Sequence, residues 1–539
     1  MAITTINIGS AANDGTGDTL RAAFGHVNTN FENFKIEGTN FTGSILIGHN
    51  TTGTLNDATN NVGIGIGALD AITSGDGNTA IGKNAGTAIT SGGDNIIIGS
   101  AAGDALTTGL DNVAIGVSAL STEDGHGYNV AVGTYSLLNL NAGDNAFNTA
   151  VGYGSGENLT TGTSNTILGG QAGDALTTGS FSIAIGRNAL TAETGASRST
   201  AIGYFALSTQ NIGSGDANNI AIGHSAGEVV TTGIQNVIIG NNAGDALTTG
   251  GENIAVGYFA LSGEDAHGKN VAIGTRALQT QNAGADAYNV AVGYTAGKLI
   301  STGIRNTLIG GLSGDAINTG SYNVALGMQA LSSETGGGKN VALGTGALEL
   351  LNVNADGNNV AIGYTAGQDV STGLKNTIIG SLAGNIGSND LTTGDNNIII
   401  GFNASASAAD VDNEITLGDA NISAFRCADQ SIAALSDGRD KTNVKDSSFG
   451  LDFIDSVRPV EFEWDFRPEN MSPVKQGKKR VGFIAQELQE AMPGGENEIL
   501  DLVYEVSEDR IEAKYGNLLP ILVKAVQELS AKVKELEGK

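Results

Sequence analysis

The sequence predicts a mainly β protein whose central part is a trimeric β-solenoid of about twenty coils, with about seventeen residues to a coil. Three observations predict it. First, a pentad of Asn, apolar, Ala or Ile, branched apolar, Gly recurs from Asn61–Gly65 to Asn397–Gly401, with closing glycines mostly seventeen positions apart and some intervals stretched by two to four more. Second, a larger unit repeats over it, returning at Gly152, Gly223, Gly293 and Gly363 after near-equal intervals, which is the mark of a duplicated four-coil block. Third, 81 glycines with only 5% aromatic residues do not suit a compact globular enzyme. Such a period is too short for a propeller blade, and the coils are too rich in Gly, Asn and Thr for a helical repeat, so one period is read as one solenoid turn.

Within a pentad the outer pair of apolar residues, such as Val113 and Ile115, point to one side of the strand, and the middle residue (Ala114, Ala131, Ala150, Ile167) points to the other. A strand apolar on both faces is buried on both. One face is therefore expected to fill the coil interior and the other to pack on sister chains around a three-fold axis. Asn78, Asn95, Asn112 and Asn129 are expected to stack as side-chain amide ladders at one corner, with the glycines permitting the bend that follows. At roughly 4.8 Å per coil the array makes a rod of roughly 90 Å. Two coils of each block carry Ala-Gly after the pentad (Ala226-Gly227, Ala243-Gly244) and two carry Ala-Leu (Ala260-Leu261, Ala277-Leu278).

Bulk properties narrow the function. The 539 residues have 40% hydrophobic content, which is enough for cores, and a formal charge of −29, which repels nucleic acid and anionic membrane surfaces. A single cysteine, Cys427, allows no intrachain disulfide. The start, MAITTINIGS, has no basic region followed by an apolar run, and no apolar segment long enough to span a bilayer occurs, so synthesis in a cytoplasm without membrane insertion is expected.

In the N-terminal segment, residues 1–45, Asp18 stands as a helix N-cap. Behind it Leu20, Phe24, Val27, Phe31 and Phe34 recur at 4, 3, 4 and 3, the seam of a short amphipathic helix that packs on its own domain or on identical chains. The array occupies 46–402. Its recurring acids (Asp104, Asp174, Asp245) read as solvated turns, since the GGxGxD pattern of calcium solenoids is missing, and the paired threonines (Thr107-Thr108, Thr248-Thr249) read as corners. The longer loops STEDGHGYN (121–129) and SGEDAHGKN (262–270) are expected to protrude most, with His126 and His267 solvated. No cofactor and no metal site is expected.

A tapering junction, 403–435, keeps strand-like runs, ITLG and SIAAL. The C-terminal domain, 436–539, then opens on SDGRDK and holds all five prolines and the single tryptophan. A serine and a lysine five apart, Ser436 and Lys441, mean little alone. Phe453, Phe462, Trp464 and Phe466 read as core. In the tail, Leu519, Leu522, Val526, Leu529, Val533 and Leu536 at intervals of 3, 4, 3, 4 and 3 form a coiled-coil seam, expected to hold three chains in register.

Three stretches resemble known families. INIGSAANDGTGDTLRAAFGHVNTNF is similar to N-terminal segments of phage virion proteins, particularly tail-associated ones, and the NxVAIG coils resemble the head repeats of trimeric bacterial adhesins, although the period here is longer. Most specifically, SDGRDKTNV, GLDFIDSVRPVEFEWDF and RVGFIAQELQEAMP resemble the intramolecular chaperone family at the C-termini of endosialidase-type tailspikes and phage tail fibres, also classed as self-cleaving serine peptidases. That resemblance implies a cut between Leu435 and Ser436, with Ser436 as nucleophile and Lys441 as base, and Asp437 and Arg439 as supporting motif residues. Asp440 stands where that family commonly carries an apolar residue. It implies a homotrimeric tail fibre or tail-associated protein of the virion, assembled in the host cytoplasm, with phage tail or baseplate proteins and a host-cell receptor such as a glycan as partners. The only activity then expected is single-turnover autoproteolysis. The competing readings are a polysaccharide-degrading tailspike carrying the same chaperone, which needs a carboxylate-bearing groove that the regular coil lengths leave little room for, and a membrane-tethered cellular factor.

Overall fold

The computed structural model describes residues 34–38, 40–48, 54–385, 387, 390–422, 424–426, 436–465, 477, 479–492, 497–507 and 510–539. The expected helix residues Asp18, Leu20, Phe24, Val27 and Phe31, together with Cys427, Leu435 and Phe466, lie outside them. The chain forms two compact units, Met1–Asn358 and Asn359–Lys539.

The first unit opens with strand β1 (Phe34–Gly38) turned back antiparallel on β2 (Phe41–Ile47). Phe34, which its spacing assigned to a helical seam, therefore begins a strand. Strand β2 then pairs in parallel with β3 (Val62–Ile64), and parallel pairing of three-residue strands continues coil by coil to β19 (Val341–Leu343). The register is constant: Val113 faces Val130, and Ala114 faces Ala131. In the second unit the same strands run from β20 (Val360–Ile362) to β23 (Ile415–Leu417), so ITLG in the junction adds one more strand, while SIAAL lies outside the described residues.

The sequence left open which strand face looks inward, and side-chain volume decides it. The middle residues (Ala114, Ala131, Ala150, Ile167) are fully buried, whereas the flanking residues are partly exposed, Ile96 at 43%. Small residues fit a narrow interior, and the β-branched pair forms an apolar stripe along the outside.

The strand ends where the next coil's backbone comes too close for a side chain. Gly116 sits at φ +141°, and a Cβ there would lie 2.4 Å from the carbonyl oxygen of Gly133. At the opposite strand end the asparagines stack as expected. Asn95 donates from Nδ2 to Asn78 Oδ1 (2.9 Å) and to Gly109 O (2.8 Å), while its own Oδ1 accepts from the Asn112 N–H (2.9 Å). Each buried amide is thus satisfied by the coils beside it. Where Ser182 and Ser199 replace asparagine, Gln210 restores the chain, donating to Ser199 Oγ (2.8 Å) and accepting from Asn219 Nδ2 (2.8 Å).

The four-coil block has a packing reason. Along one block the middle strand residue and the turn residue run Ala221 with Gly227, Ile238 with Gly244, Ala255 with Leu261 and Ala272 with Leu278, so two adjoining coils carry Gly in the turn and two carry Leu. A Cβ on Gly227, in the preceding coil, would lie 2.9 Å from Ile238 Cδ1, and one on Gly244 would lie 3.5 Å from it. One isoleucine thus occupies the space that two glycines leave. Leu308 stands in the same relation to Gly297 and Gly314.

The long loops do not simply protrude. Each turns a glutamate inward (Glu123, Glu193, Glu264, Glu334), all fully buried. Glu334 Oε1 accepts from the N–H groups of Gly336 (3.0 Å) and Gly337 (2.6 Å), and Oε2 from that of Val353 (3.3 Å). Burial pushes its carboxyl above the ordinary glutamate range against these hydrogen bonds. The paired threonines bridge coils at a corner, as Thr107 Oγ1 donates to Asp124 O at 2.7 Å.

Two outcomes are expected. Ile238→Ala alone destabilises the solenoid by about 2–5 kcal/mol through a cavity, and Gly244→Leu alone by about 1–3 kcal/mol through overpacking. The double variant, which copies the Ala255/Leu261 coil (Leu261 at φ +53°, Gly244 at +52°), loses less than their sum in urea unfolding, and strict additivity refutes the shared volume. Second, a carboxyl raised on folding makes the native state bind the proton first, so its contribution to stability rises as pH falls through the raised value. Wild type should therefore gain on Glu334→Gln between pH 7 and pH values just above the ordinary glutamate range; a constant difference contradicts this.

Candidate functional site

The C-terminal domain begins with an extended segment and helix α1 (Leu451–Ser456), followed by the hairpin β24 (Val460–Glu463) and β25 (Lys479–Gly482). Helices α2 (Ala485–Ala491) and α3 (Asn497–Leu500), the hairpin β26 (Val503–Ser507) and β27 (Arg510–Ala513), and helix α4 (Leu518–Glu537) complete it. Phe453, Leu488, Met492, Leu502, Val503, Leu518 and Ile521 make its core. Phe453 is buried as expected, but Trp464 is 39% exposed, stacked edge-on against Phe462 at 5.3 Å beside a hairpin and not inside the core.

The SDGRDK stretch closes on itself. Asp437 caps a single 3-10 turn, Gly438–Asp440, by accepting from the Arg439 N–H (2.9 Å), and its carboxylate also receives Arg439 Nε at 3.0 Å. That guanidinium, and then the backbone N–H, hold the Asp437 carboxyl below the usual aspartate range. The turn returns the chain so that Lys441 Nζ donates to Ser436 Oγ at 2.5 Å. The structure therefore brings Ser436 and Lys441 together, and Asp437 with Arg439, in pairs. All four residues are exposed. Nothing among the described residues encloses the Ser–Lys contact, and a recess of about 580 Å³ in this domain is lined instead by residues of the β24–β25 hairpin such as Phe462 and Arg480.

Helix α4 has two apolar faces. Leu518, Ile521 and Ala525 are buried in the domain. The six seam residues, Leu519, Leu522, Val526, Leu529, Val533 and Leu536, are all exposed, from 43% to 71%. A helix with one apolar stripe in a core and another in water has a surface that a partner is needed to cover. Sequence spacing found the outer stripe and missed the inner one, because Leu518 and Ile521 fall between the heptad positions. It also missed Glu528, which reaches from α4 to accept the Leu451 N–H at 2.8 Å and so caps α1, whose N-cap residue Gly450 has no side chain to do it.

A parallel β-solenoid followed by an α+β domain that opens on a Ser–Lys pair and ends in an apolar-striped helix defines a repeat shaft with a terminal folding domain. Residues 436–495, starting at that serine, match the family model described as chaperone of endosialidase, so the chain carries a C-terminal domain of this kind. Solenoid and chaperone domain together fit a tail fibre or tailspike. No curated protein matches the chain. Among the described residues no helix is long and apolar enough to cross a membrane.

Glu528→Ala is expected to destabilise the C-terminal domain by about 0.5–2 kcal/mol, the usual worth of a helix cap. Trp464, the single tryptophan, lies in this domain and reports its unfolding by fluorescence; an unchanged midpoint removes the capping role.

Proposed function

We propose that the protein is a homotrimeric tail-fibre or tail-associated attachment protein of a phage virion, folded in the host cytoplasm by its C-terminal chaperone, which then cuts itself off between Leu435 and Ser436. The observation that carries this reading is the contact at Ser436, where the family match begins and where Lys441 Nζ meets the hydroxyl. Ser436 Oγ attacks the carbonyl carbon of Leu435, and the bond from that carbon to the Ser436 nitrogen breaks as the nitrogen takes up a proton. The resulting ester is hydrolysed by water to a Leu435 carboxylate and a free Ser436 amine. A lysine takes the hydroxyl proton only when burial favours its neutral form. Ser436 and Lys441 are exposed in the single chain, so assembly has to supply that burial, and cutting becomes a readout of trimerisation.

Two features support three chains. The seam of α4 is the heptad pattern of a coiled coil facing water. The outer strand residues repeat a partly exposed apolar side chain on every coil, and a contiguous exposed apolar patch marks a surface that a partner covers. On this reading the N-terminal segment docks on tail or baseplate proteins, and the shaft presents its loops to a host receptor such as a glycan.

Intact mass spectrometry on wild type, Ser436→Ala and Lys441→Ala tests the proposal. Wild type is expected to give two fragments, one ending at Leu435 and one beginning at Ser436, while both variants stay whole and still sediment as trimers. An uncut wild-type trimer refutes the dyad, and a monomeric Ser436→Ala protein refutes the assembly.

A further inference from the structure

We propose that the turns Glu123-Asp124-Gly125-His126 and Glu264-Asp265-Ala266-His267 are two copies of one divalent transition-metal site, with a donor set suited to zinc. In each, a carboxylate oxygen of Glu, one of Asp and a ring nitrogen of His lie within 4.8 Å of one another. The Glu to His separation is 3.1 Å between Glu123 Oε1 and His126 Nδ1, and 3.4 Å between Glu264 Oε1 and His267 Nδ1. Two donors at zinc's usual bond lengths and a tetrahedral angle stand about 3.4 Å apart. Two carboxylates and a neutral imidazole balance a divalent charge, and one histidine with two oxygens is a borderline-hard set that zinc accepts.

The independent observation is an unmet need inside the second site. Glu264 is fully buried, yet its Oε2 has no hydrogen-bond partner among the described residues, and the buried Nδ1 of His267 makes no hydrogen bond there either. Buried polar atoms without partners are rare, and a bound ion is one of the things that account for them.

The duplicated blocks supply a comparison within the molecule. At the same place in the alternate blocks the sequence reads Glu193-Thr194-Gly195-Ala196 and Glu334-Thr335-Gly336-Gly337, with neither the Asp nor the His. There both carboxylate oxygens are taken by the protein: Glu193 Oε1 accepts from Ala196 N–H (2.8 Å), and its Oε2 from Ile212 N–H (3.1 Å) and Gln210 Nε2 (3.1 Å). The aspartate and histidine thus appear together or not at all; in the first site Glu123 Oε2 accepts from the Ala142 N–H (3.3 Å), and in the second Glu264 Oε2 is left over. The loop backbone is already fixed, since the carbonyls of Asp124 and Asp265 accept from the hydroxyls of Thr107 (2.7 Å) and Thr248 (2.5 Å). The aspartate side of each cluster is exposed, which gives the ion a way in and leaves a position for water or a further ligand.

The test is zinc titration of the full chain by calorimetry, with wild type, His126→Ala/His267→Ala and the isosteric Asp124→Asn/Asp265→Asn. Both histidines are 28% exposed and the aspartates lie at the surface, and circular dichroism checks that the variants keep their fold. Wild type is expected to bind two zinc ions per chain and to melt at a higher temperature with zinc than without. Both double variants should lose that shift and at least tenfold in affinity. Three of the five histidines remain in the histidine variant, so stray imidazole binding is retained there as the control. If wild type takes up no zinc, or if the histidine variant binds as many ions as wild type, the assignment is wrong.

Discussion

Everything in the solenoid depends on the closeness of one coil's backbone to the next. Parallel main-chain hydrogen bonds set a spacing of roughly 4.8 Å, and at that spacing each position of a coil is judged by the same position one coil away. A glycine closes each strand because a Cβ would strike the next glycine's carbonyl. An asparagine opens it because a side-chain amide of that length bridges to the neighbouring amide and to the main chain at once. Beside Ser182 and Ser199, which stand where other coils have asparagine, Gln210 carries the chain of donors and acceptors on to Asn219, and Gln281 accepts from Asn289 in the same way one block later, beside an intact asparagine stack.

The same closeness governs the interior. Two coils of each block take a large central group from the turn as Leu, and the other two share one large strand residue, Ile or Leu. Ala255 goes with Leu261 and Ala272 with Leu278, whereas Ala221 with Gly227 and Ile238 with Gly244 form the pair that Ile238 serves. Because Ile238 also fills the space beside Gly227 in the preceding coil, the choice couples neighbours, and a unit larger than one coil is the natural consequence.

Much of this was legible in the sequence, because a constraint that acts once per coil writes itself once per period. The coil count, the strand positions, the asparagine stack and the heptad spacing of α4 were all carried by intervals. What escaped was carried by geometry across the coil. Alternation alone gives two apolar faces and no way to tell which is inside until volumes are compared. The buried glutamates Glu123, Glu193, Glu264 and Glu334 recur once per four-coil block, so their signal was present, but a Glu in a polar loop reads as solvent-facing unless the N–H groups that it accepts from are known. Phe34 and Trp464 failed for a related reason: spacing and apolar character say that a residue seeks company, and not whether it finds it in a helix, a hairpin or a core. The Ser436 and Lys441 pair had no meaning by spacing alone; the 3-10 turn between them, capped by Asp437, is what makes a separation of five the right one.

The proposed trimer explains why so much apolar surface stands outward. A shaft of parallel coils forms only long-range pairings, which are slow to find and exposed to slippage while they form. Identical coils make the hazard worse, since a chain shifted by one period against its sisters keeps nearly every contact. The four-coil block and the uneven intervals reduce that degeneracy without removing it. In the proposed trimer, a terminal helix with its own fold on one face and an open heptad seam on the other would fix the register at one end before the coils could choose wrongly. Once the coils are locked together, that clamp has no further role in holding them. On the proposed reading, removing it by a cut that needs the assembled environment would take away the place from which unwinding starts, and the shaft would persist for kinetic reasons.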